Sequence, residues 1–293
     1  MILKKLHIKI TFFILLWIIA GSVFFSSCEK EDTTDFVNQA EITSQSLDLD
    51  IETIRLSMLF HKAIYDTTLM NHDTAIIDSA FVTSGFDSLT NERTFIFDYG
   101  DGQTSPDWKH RSGKIIALYN VDPTSAEFFL TADFNNYNFE GYTMEGGLSM
   151  SDSENSNEAG IRFTSTSNFQ SVDENDRHFQ QNGTKQYTWI KGFEKPDNWE
   201  VHEFLVSGSA TALYQKTGEK PESDANLNTT IIDDWVIRLS CGKIINTGFL
   251  EVQFESESSL ELITGDFVDA DLDGCCDKVI LKNSDNFGYP FYF

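Results

Sequence analysis

Basic residues are scarce in this sequence. Its 293 residues include 21 lysines and arginines but 46 aspartates and glutamates, which gives a formal net charge of −25. A nucleic-acid-binding surface needs clustered lysine and arginine to neutralise phosphates. The composition therefore argues against nucleic acid as a partner, and equally against adhesion to anionic lipid headgroups. High negative charge suits solubility and association with cations.

The motifs of the common catalytic sites are also missing. The sequence contains no His-Glu-x-x-His, no Gly-x-Ser-x-Gly and no phosphate-binding Gly-Lys-Ser/Thr loop. The histidines are scattered, without the spacing of metal ligands. We therefore predict a protein that is not an enzyme. A hydrolase that uses two carboxylates stays as a weaker alternative, because any two of the many acidic residues could form such a pair.

Long apolar runs are absent except at the N-terminus. Three lysines precede an uncharged run at residues 10–25, and two serines then lead directly into Cys28. These are the parts of an export signal, and the Ser-Ser-Cys junction resembles a lipobox, in which a peptidase cuts before a diacylated cysteine. An ordinary signal peptide or an uncleaved anchor helix would also fit the run. We predict a lipoprotein signal at residues 1–27 and palmitate-type lipidation of Cys28. Lipidation would by itself attach the protein stably to a membrane, because two acyl chains suffice for that.

An acidic stretch follows the predicted anchor. Residues 29–32 read Glu-Lys-Glu-Asp and resemble the surface-export tag of Bacteroidota lipoproteins, which favours the extracellular face of the outer membrane. A solvated tether of no further significance would have the same composition. We assign residues 28–42 to an acidic tether and residues 43–293 to an ectodomain.

Cysteine is rare, with four in the whole chain. If Cys28 is lipidated, the odd remainder in an oxidising compartment suggests one disulfide and one spare thiol. A bridge between the adjacent Cys275 and Cys276 would be strained, so we predict a disulfide from Cys241 to Cys276, with Cys275 as the alternative partner. Three reduced cysteines in the core would also fit the sequence.

The spacing of apolar residues changes once along the ectodomain. Between residues 47 and 66 it is roughly helical, which predicts one amphipathic helix with Ser46 as its N-cap. The opening residues 47–51 also alternate like a strand. From residue 95 onward, short runs of β-branched and aromatic residues are separated by Gly, Asn, Asp and Pro. They predict a mainly β fold, an antiparallel β-sandwich or meander-type sheet, which could divide into subdomains at residues 90–150 and 185–293.

One segment has the pattern of a calcium loop. Asp269, Asp271 and Asp273 alternate before Gly274, and Asp277 occupies the ninth position. The glycine would permit the sharp turn that lets carboxylate oxygens converge on an ion. The twelfth position is Ile280 where a bidentate glutamate is expected, and Asp and Gly are ordinary turn residues. Calcium is thus the one cofactor that the sequence suggests. The alternative interpretation of this segment is an acidic hairpin turn that binds no ion.

Two tryptophans lie in polar loops. Trp108 and Trp199 each have an aspartate nearby in the sequence, together with basic residues or an asparagine. Such polar surroundings suit stacking of the tryptophan ring against a sugar ring. Burial at the end of a sheet is the alternative for both, because large aromatic side chains dominate core packing. Trp235 stands among isoleucines and valines and is predicted to be core.

Several short motifs together resemble a family of uncharacterised Bacteroidota surface lipoproteins. They are the lipobox, Phe97-Asp-Tyr-Gly-Asp-Gly102, Arg111-Ser-Gly-Lys-Ile115, Cys241-Gly242 and Asp273-Gly-Cys-Cys-Asp277. Members often carry a cysteine where this chain has Gln103, so the resemblance implies no second bridge. It also implies a β-rich fold and a place in the envelope, but no activity.

We therefore expect a lipid-anchored outer-membrane protein that acts as a binding or structural module. Its partners would be the membrane, through the anchor, and a glycan or another envelope protein. A calcium-stabilised carbohydrate-binding module of a glycan-uptake system is the second alternative.

Overall fold

A computed structural model describes residues 31–120, 129–152, 161–192, 194–195, 198–217, 224–240, 245–256, 260–269, 276 and 278–292. The chain divides into two compact units, Met1–Gln39 and Ala40–Phe293. The described residues of the first unit, 31–39, are helical. The second unit contains the sheet and every contact discussed below.

Within the described residues, two α-helices precede the strands. They are α1 (Glu31–Tyr65) and α2 (Thr67–His72). The predicted helix is confirmed, but its predicted start is wrong: Ser46 lies inside α1, and residues 31–42 of the predicted tether are helical. No glycine or proline interrupts residues 29–65, so nothing in the backbone stops the helix at the local capping signal. The competing strand at residues 47–51 does not form.

The rest of the second unit is antiparallel β-structure. The strands are β1 (Thr74–Ile77), β2 (Ala80–Asp87), β3 (Glu92–Asp98), β4 (Gln103–Thr104), β5 (His110–Asn120), β6 (Leu130–Phe139), β7 (Tyr142–Asp152), β8 (Ile161–Val172), β9 (Arg177–Lys191), β10 (Glu203–Lys216), β11 (Ala225–Arg238), β12 (Ile245–Ser256), β13 (Leu260–Val268), β14 (Lys278–Lys282) and β15 (Gly288–Tyr292). All of them belong to one sheet, in which each strand pairs with its neighbours in sequence, except that β3 pairs directly with β5 and the short β4 adds only to β5. The mainly β, antiparallel class is confirmed, and the arrangement is a meander.

The sheet is continuous across the two predicted subdomains. β8 pairs with β7 on one side and with β9 on the other. The strands of residues 90–150 and those of residues 185–293 are therefore parts of one hydrogen-bonded sheet, and residues 40–293 form one compact unit.

Alternation along the strands separates an inner from an outer face. In β9 the buried side chains include Phe179, Tyr187 and Trp189, while the residues between them are exposed or partly exposed. Period-two alternation is the signature of a sheet with one face in the core and one in water. The inner face is not wholly apolar, because Gln181 and Lys185 are also buried there.

The core lies between this inner face and α1. Phe60 contacts Phe97 of β3 with ring centroids 5.3 Å apart, and Ser57 donates a hydrogen bond to Ser165 of β8 at 2.9 Å. His61 contacts both Trp189 of β9 and Phe204 of β10. Strands from β3 to β10 therefore cover the part of α1 that belongs to the second unit, and most side chains from Thr43 to Ala63 are buried, polar ones included.

Two glycines allow neighbouring strands to approach closely at irregularities of the sheet. Gly113 has φ of +78°, and a Cβ there would lie 1.9 Å from the carbonyl oxygen of Asn136. Gly208 has φ of +130°, and a Cβ there would lie 2.2 Å from the carbonyl oxygen of Thr184. Both lie where the strand register shifts. Such bulges increase the local twist of a sheet and accept only glycine without strain.

Candidate functional site

Charged side chains are buried where α1 meets β5 and the loop before it. We call Glu52, Arg55, Asp78, Asp107 and Arg111 the ionic cluster. Glu52 and Arg55 lie on α1, and Arg111 lies on β5 and is 0 % exposed. Buried charges are tolerated only when they are paired and hydrogen-bonded, so this cluster forms as a unit.

Glu52 is the centre of the cluster. Its carboxylate accepts hydrogen bonds from Arg111 Nη2 at 2.6 Å and from Arg55 Nη1 at 3.0 Å. The hydroxyl of Tyr137 donates a further hydrogen bond at 2.5 Å. Burial alone would raise the pKa of Glu52, but the charges of Arg111 and Arg55 hold it below its ordinary value. Glu52 is therefore ionised in the folded protein.

Asp107 and Asp78 complete the cluster from two loops. Arg111 donates two hydrogen bonds to Asp107, at 2.8 and 2.7 Å, in the paired geometry that arginine favours. Arg55 forms an ion pair with Asp78, and its Nε lies 3.6 Å from Asp107 Oδ2. Burial opposes ionisation of Asp107, but its bonds to Arg111 keep its pKa below the usual range.

An aromatic wall adjoins the cluster along α1. It contains His61, Trp189, Trp199 and His202. The ring of Trp199 lies 4.6 Å from that of His202 and 6.0 Å from that of His61, measured between centroids. His61 is 4 % exposed, and burial, assisted by the neighbouring His202, lowers its pKa to about 3. The imidazole of His61 is therefore neutral at physiological pH.

A cavity of about 360 Å³ lies between the ionic cluster and the aromatic wall. We call it the α1 cavity. Arg55, Met58, Leu59 and Lys62 belong to its lining, and their spacing places them on one face of the helix. The remaining lining comes from loops and strand ends and consists of Asp78, Pro106, Asp107, Trp199, Leu239 and Ser240.

Lys62 differs from the other charged groups of the cavity. Its Nζ lies 5.7 Å from the centre of the Trp199 ring, a distance compatible with a cation–π contact. It forms no ion pair with any residue that the structure describes. Burial lowers the pKa of Lys62, and Asp66 offsets this only in part. The ammonium is thus a partly desolvated donor that faces the cavity.

The structure separates the two predicted tryptophans. Trp199 lines the α1 cavity. Trp108 lies beside Asp107 in sequence, but its side chain does not line the cavity and is 85 % exposed. The alternative that Trp108 fills the core is therefore wrong. Trp235 is 0 % exposed, as predicted for a core residue.

The predicted metal, disulfide and lipid sites lie mostly outside the described residues. Of the calcium pattern only Asp269 is described, directly after β13, whereas Asp271, Asp273 and Asp277 are not. Within the described ranges, no group of three His, Cys, Asp or Glu residues could hold a metal ion. Calcium binding by the loop stays a prediction.

Cys276 is buried, with its sulfur 3.3 Å from the carbonyl oxygen of Val268 and 3.2 Å from that of Lys278. Cys241 and Cys275, its proposed partner and the alternative, lie outside the described residues, as does Cys28. The disulfide and the lipidation therefore stay predictions. None of the described helices is both long enough and apolar enough to cross a membrane.

The α1 cavity can bind an organic molecule of modest size, because apolar walls and one available ammonium face the same space. The carboxylates of the cavity are already hydrogen-bonded or ion-paired to arginine, and the lowered pKa of Asp107 makes it unsuited to donate a proton. Comparisons of the chain with known protein families, with curated proteins and with solved structures find no match.

Proposed function

We propose that this chain is a lipid-anchored cell-envelope protein whose β-rich body binds a small ligand in the α1 cavity without transforming it. The observation that carries the proposal is the cavity. Its volume of about 360 Å³ falls in the range of small-molecule sites, about 300–1,000 Å³. Apolar walls with a few placed polar groups are typical of such sites.

The ionic cluster supports binding rather than catalysis. A general acid needs a raised pKa, and Asp107, the carboxylate of the cavity with a shifted pKa, has it lowered instead. Each of these carboxylates is ion-paired to arginine and so helps to hold one wall of the cavity in place. A rigid wall favours binding, because less conformational freedom is lost when a ligand is held.

Trp199 favours a glycan as a second candidate ligand. A tryptophan ring presents a large flat apolar surface beside a polar N–H group, and Trp199 is the predicted sugar-stacking residue that lines the cavity. A calcium-stabilised carbohydrate-binding module would combine this surface with the Asp269 loop. Another protein of the cell envelope is the third candidate ligand.

We expect replacement of Trp199 by alanine to weaken ligand binding about tenfold or more, since losing about 1.4 kcal/mol of contact energy changes affinity tenfold. The measurement is a calorimetric screen of the full chain in lipid vesicles against monosaccharides, small aromatic acids and short peptides, with calcium and with a chelator. Trp108→Ala is the matched control, because Trp108 does not line the cavity, and it should retain the affinity of the unmodified protein.

Equal loss of affinity in Trp199→Ala and Trp108→Ala would place the ligand elsewhere, and absence of any ligand in the screen would contradict the proposal. A ligand bound only with calcium would favour the carbohydrate-binding module.

Lipidation of Cys28 predicts that a Cys28→Ala variant takes up no radiolabelled palmitate when expressed in a bacterial host. The unmodified chain should be labelled and should sediment with membranes, because diacylation provides the two chains that stable attachment needs. Cys276→Ala is the matched control and should be labelled like the unmodified chain. Equal labelling of Cys28→Ala and the unmodified chain would remove the anchor from the proposal.

A further inference from the structure

The polar groups around the α1 cavity differ in how many of their hydrogen-bonding positions are already occupied by other protein groups. Asp107 accepts from Arg111 through both carboxylate oxygens, and its Oδ1 also accepts from the backbone N–H of Lys109 at 3.2 Å. Arg55 donates to Glu52 and to the hydroxyl of Tyr99 and pairs with Asp78. These groups have little capacity left to recognise hydroxyl groups of a ligand.

Lys62 keeps that capacity. An ammonium has three N–H donors, and the structure shows it near the Trp199 ring but in no ion pair with the described residues. A partly buried cation without a partner carries a cost in free energy that a bound anion would relieve. The lowered pKa of Lys62 has the same physical origin, because the charge of Asp66 offsets the effect of burial there only in part.

Apart from Ser240, the uncharged residues that share the cavity with Lys62 are apolar. Met58 and Leu59 line it one helical turn away, and Trp199, Pro106 and Leu239 face it from the loops. The carboxylates of the ionic cluster pair with Arg55 and Arg111 and form no ion pair with Lys62.

The net charge of the protein does not prevent an anion from reaching this site. The chain carries a formal charge of −25, but exposed charges more than about 8 Å away are largely screened at physiological ionic strength. The binding of an anion is therefore decided by the charged groups within the cavity. Arg55, the other cation of the described lining, is ion-paired, which leaves Lys62 to contact an anion.

We infer that the ligand of the α1 cavity is a monocarboxylate with a compact apolar body, whose carboxylate pairs with Lys62 while the body contacts Met58, Leu59 and Trp199. This inference rests on the proposed binding function and narrows its ligand class. A site for a neutral sugar would instead need several protein groups that are free to form hydrogen bonds with the sugar hydroxyls.

The test compares probes that share a body and differ in charge. Phenylacetate, 2-phenylethanol and 2-phenylethylamine carry the same ring with a carboxylate, a hydroxyl and an ammonium group, and glucose and glucuronate serve as sugar probes. Binding to the full chain in lipid vesicles is followed by calorimetry. We expect phenylacetate to bind at least tenfold more tightly than 2-phenylethanol, which is the scale of one hydrogen bond to a charged group, and the amine to bind most weakly.

Lys62→Met keeps the length and the apolar stem of the side chain but removes the charge. It should abolish the preference for phenylacetate over 2-phenylethanol. Lys114→Met is the matched control, because Lys114 lies on β5 with half of its side chain exposed and pairs with Asp98. Lys62→Arg should retain the preference. The unfolding midpoint of each variant shows that it is folded.

The outcomes separate the inference from the proposed function. Equal or tighter binding of 2-phenylethanol or 2-phenylethylamine, or an unchanged preference in Lys62→Met, overturns the monocarboxylate and leaves a binding module. Binding of glucose or glucuronate without phenylacetate also overturns it and supports the glycan candidate. Absence of binding by all five probes at millimolar concentration overturns the monocarboxylate, and the proposed binding function falls with it only if the wider screen also finds no ligand.

Discussion

Replacing Glu52 by glutamine is expected to lower the free energy of unfolding by about 3–5 kcal/mol, the cost of removing one partner from a buried ion pair. Glutamine has nearly the same shape but no charge. Arg55 and Arg111 would then remain buried with only part of their positive charge compensated, because Glu52 accepts hydrogen bonds from both guanidinium groups. The measurement is urea-induced unfolding of the full chain at neutral pH, followed by near-ultraviolet circular dichroism.

Glu145→Gln is the matched control for this substitution. Glu145 lies on β7, is exposed, and accepts a hydrogen bond from Gln170 at 2.9 Å. Exposed polar substitutions of this kind change stability by less than about 0.5 kcal/mol. If Glu52→Gln and Glu145→Gln unfold at the same urea concentration as the unmodified chain, the ionic cluster does not stabilise the fold.

Acidification is expected to destabilise the protein through His61. Its pKa is lowered from an ordinary value of 6.5 to about 3 by burial, with a further contribution from His202. The unfolded chain therefore binds a proton at this position below pH 6.5 while the folded chain does not. The stability associated with neutral His61 is present above pH 6.5 and is lost by about 1.4 kcal/mol for each unit that the pH falls toward 3.

Asp48 acts in the opposite direction over part of the same window. Burial raises its pKa to about 6, although Lys109 opposes the shift. Its contribution is present at low pH and is lost as the pH rises through 6, so it offsets part of the His61 effect between about pH 4 and 6. The contribution of His61 is therefore best isolated as the difference between the unmodified protein and a variant.

His61→Phe keeps an aromatic ring in the same place and cannot be protonated. Its stability relative to the unmodified protein should improve by about 1.4 kcal/mol per pH unit on going from pH 6 to pH 4. Urea unfolding at several pH values in that range measures the difference. His72→Phe, at an exposed position in α2, should run parallel to the unmodified protein, and a parallel course for His61→Phe would show that His61 does not control the acid response.

The sheet could be predicted from the sequence to the extent that its strands show local alternation. β14 and residues 186–191 of β9 show this pattern, whereas the buried side of the first half of β9 includes Gln181 and Lys185. The second half of β8 lacks such a pattern, because the residues on its buried side include Ser165, Ser167 and Ser171. Serine has no particular tendency to form strands, and the contact that accounts for Ser165, a hydrogen bond from Ser57 of α1, joins residues far apart in sequence.

The candidate site was harder to predict than the fold. Trp199 could be identified from its residue type and polar neighbours. The face of α1 that bears Arg55 and Lys62 could not, because which face the sheet leaves open depends on strands far away in sequence. One signal was present: Glu52 and Arg55 stand three residues apart within an apolar helical segment, the spacing at which opposite charges meet on a helix.

The enclosure of α1 by later strands has a consequence for the order in which the molecule can fold. Glu52 meets Tyr137 across 85 positions of sequence, and Ser57 meets Ser165 across 108. Contacts of such separation make folding slow, since chain entropy is lost before the contacts are gained. During synthesis α1 is made before every strand that buries it. Glu52 and Arg55 can pair with each other within the helix, but Glu52 meets Arg111 and Tyr137 only after β5 and β6 have been made.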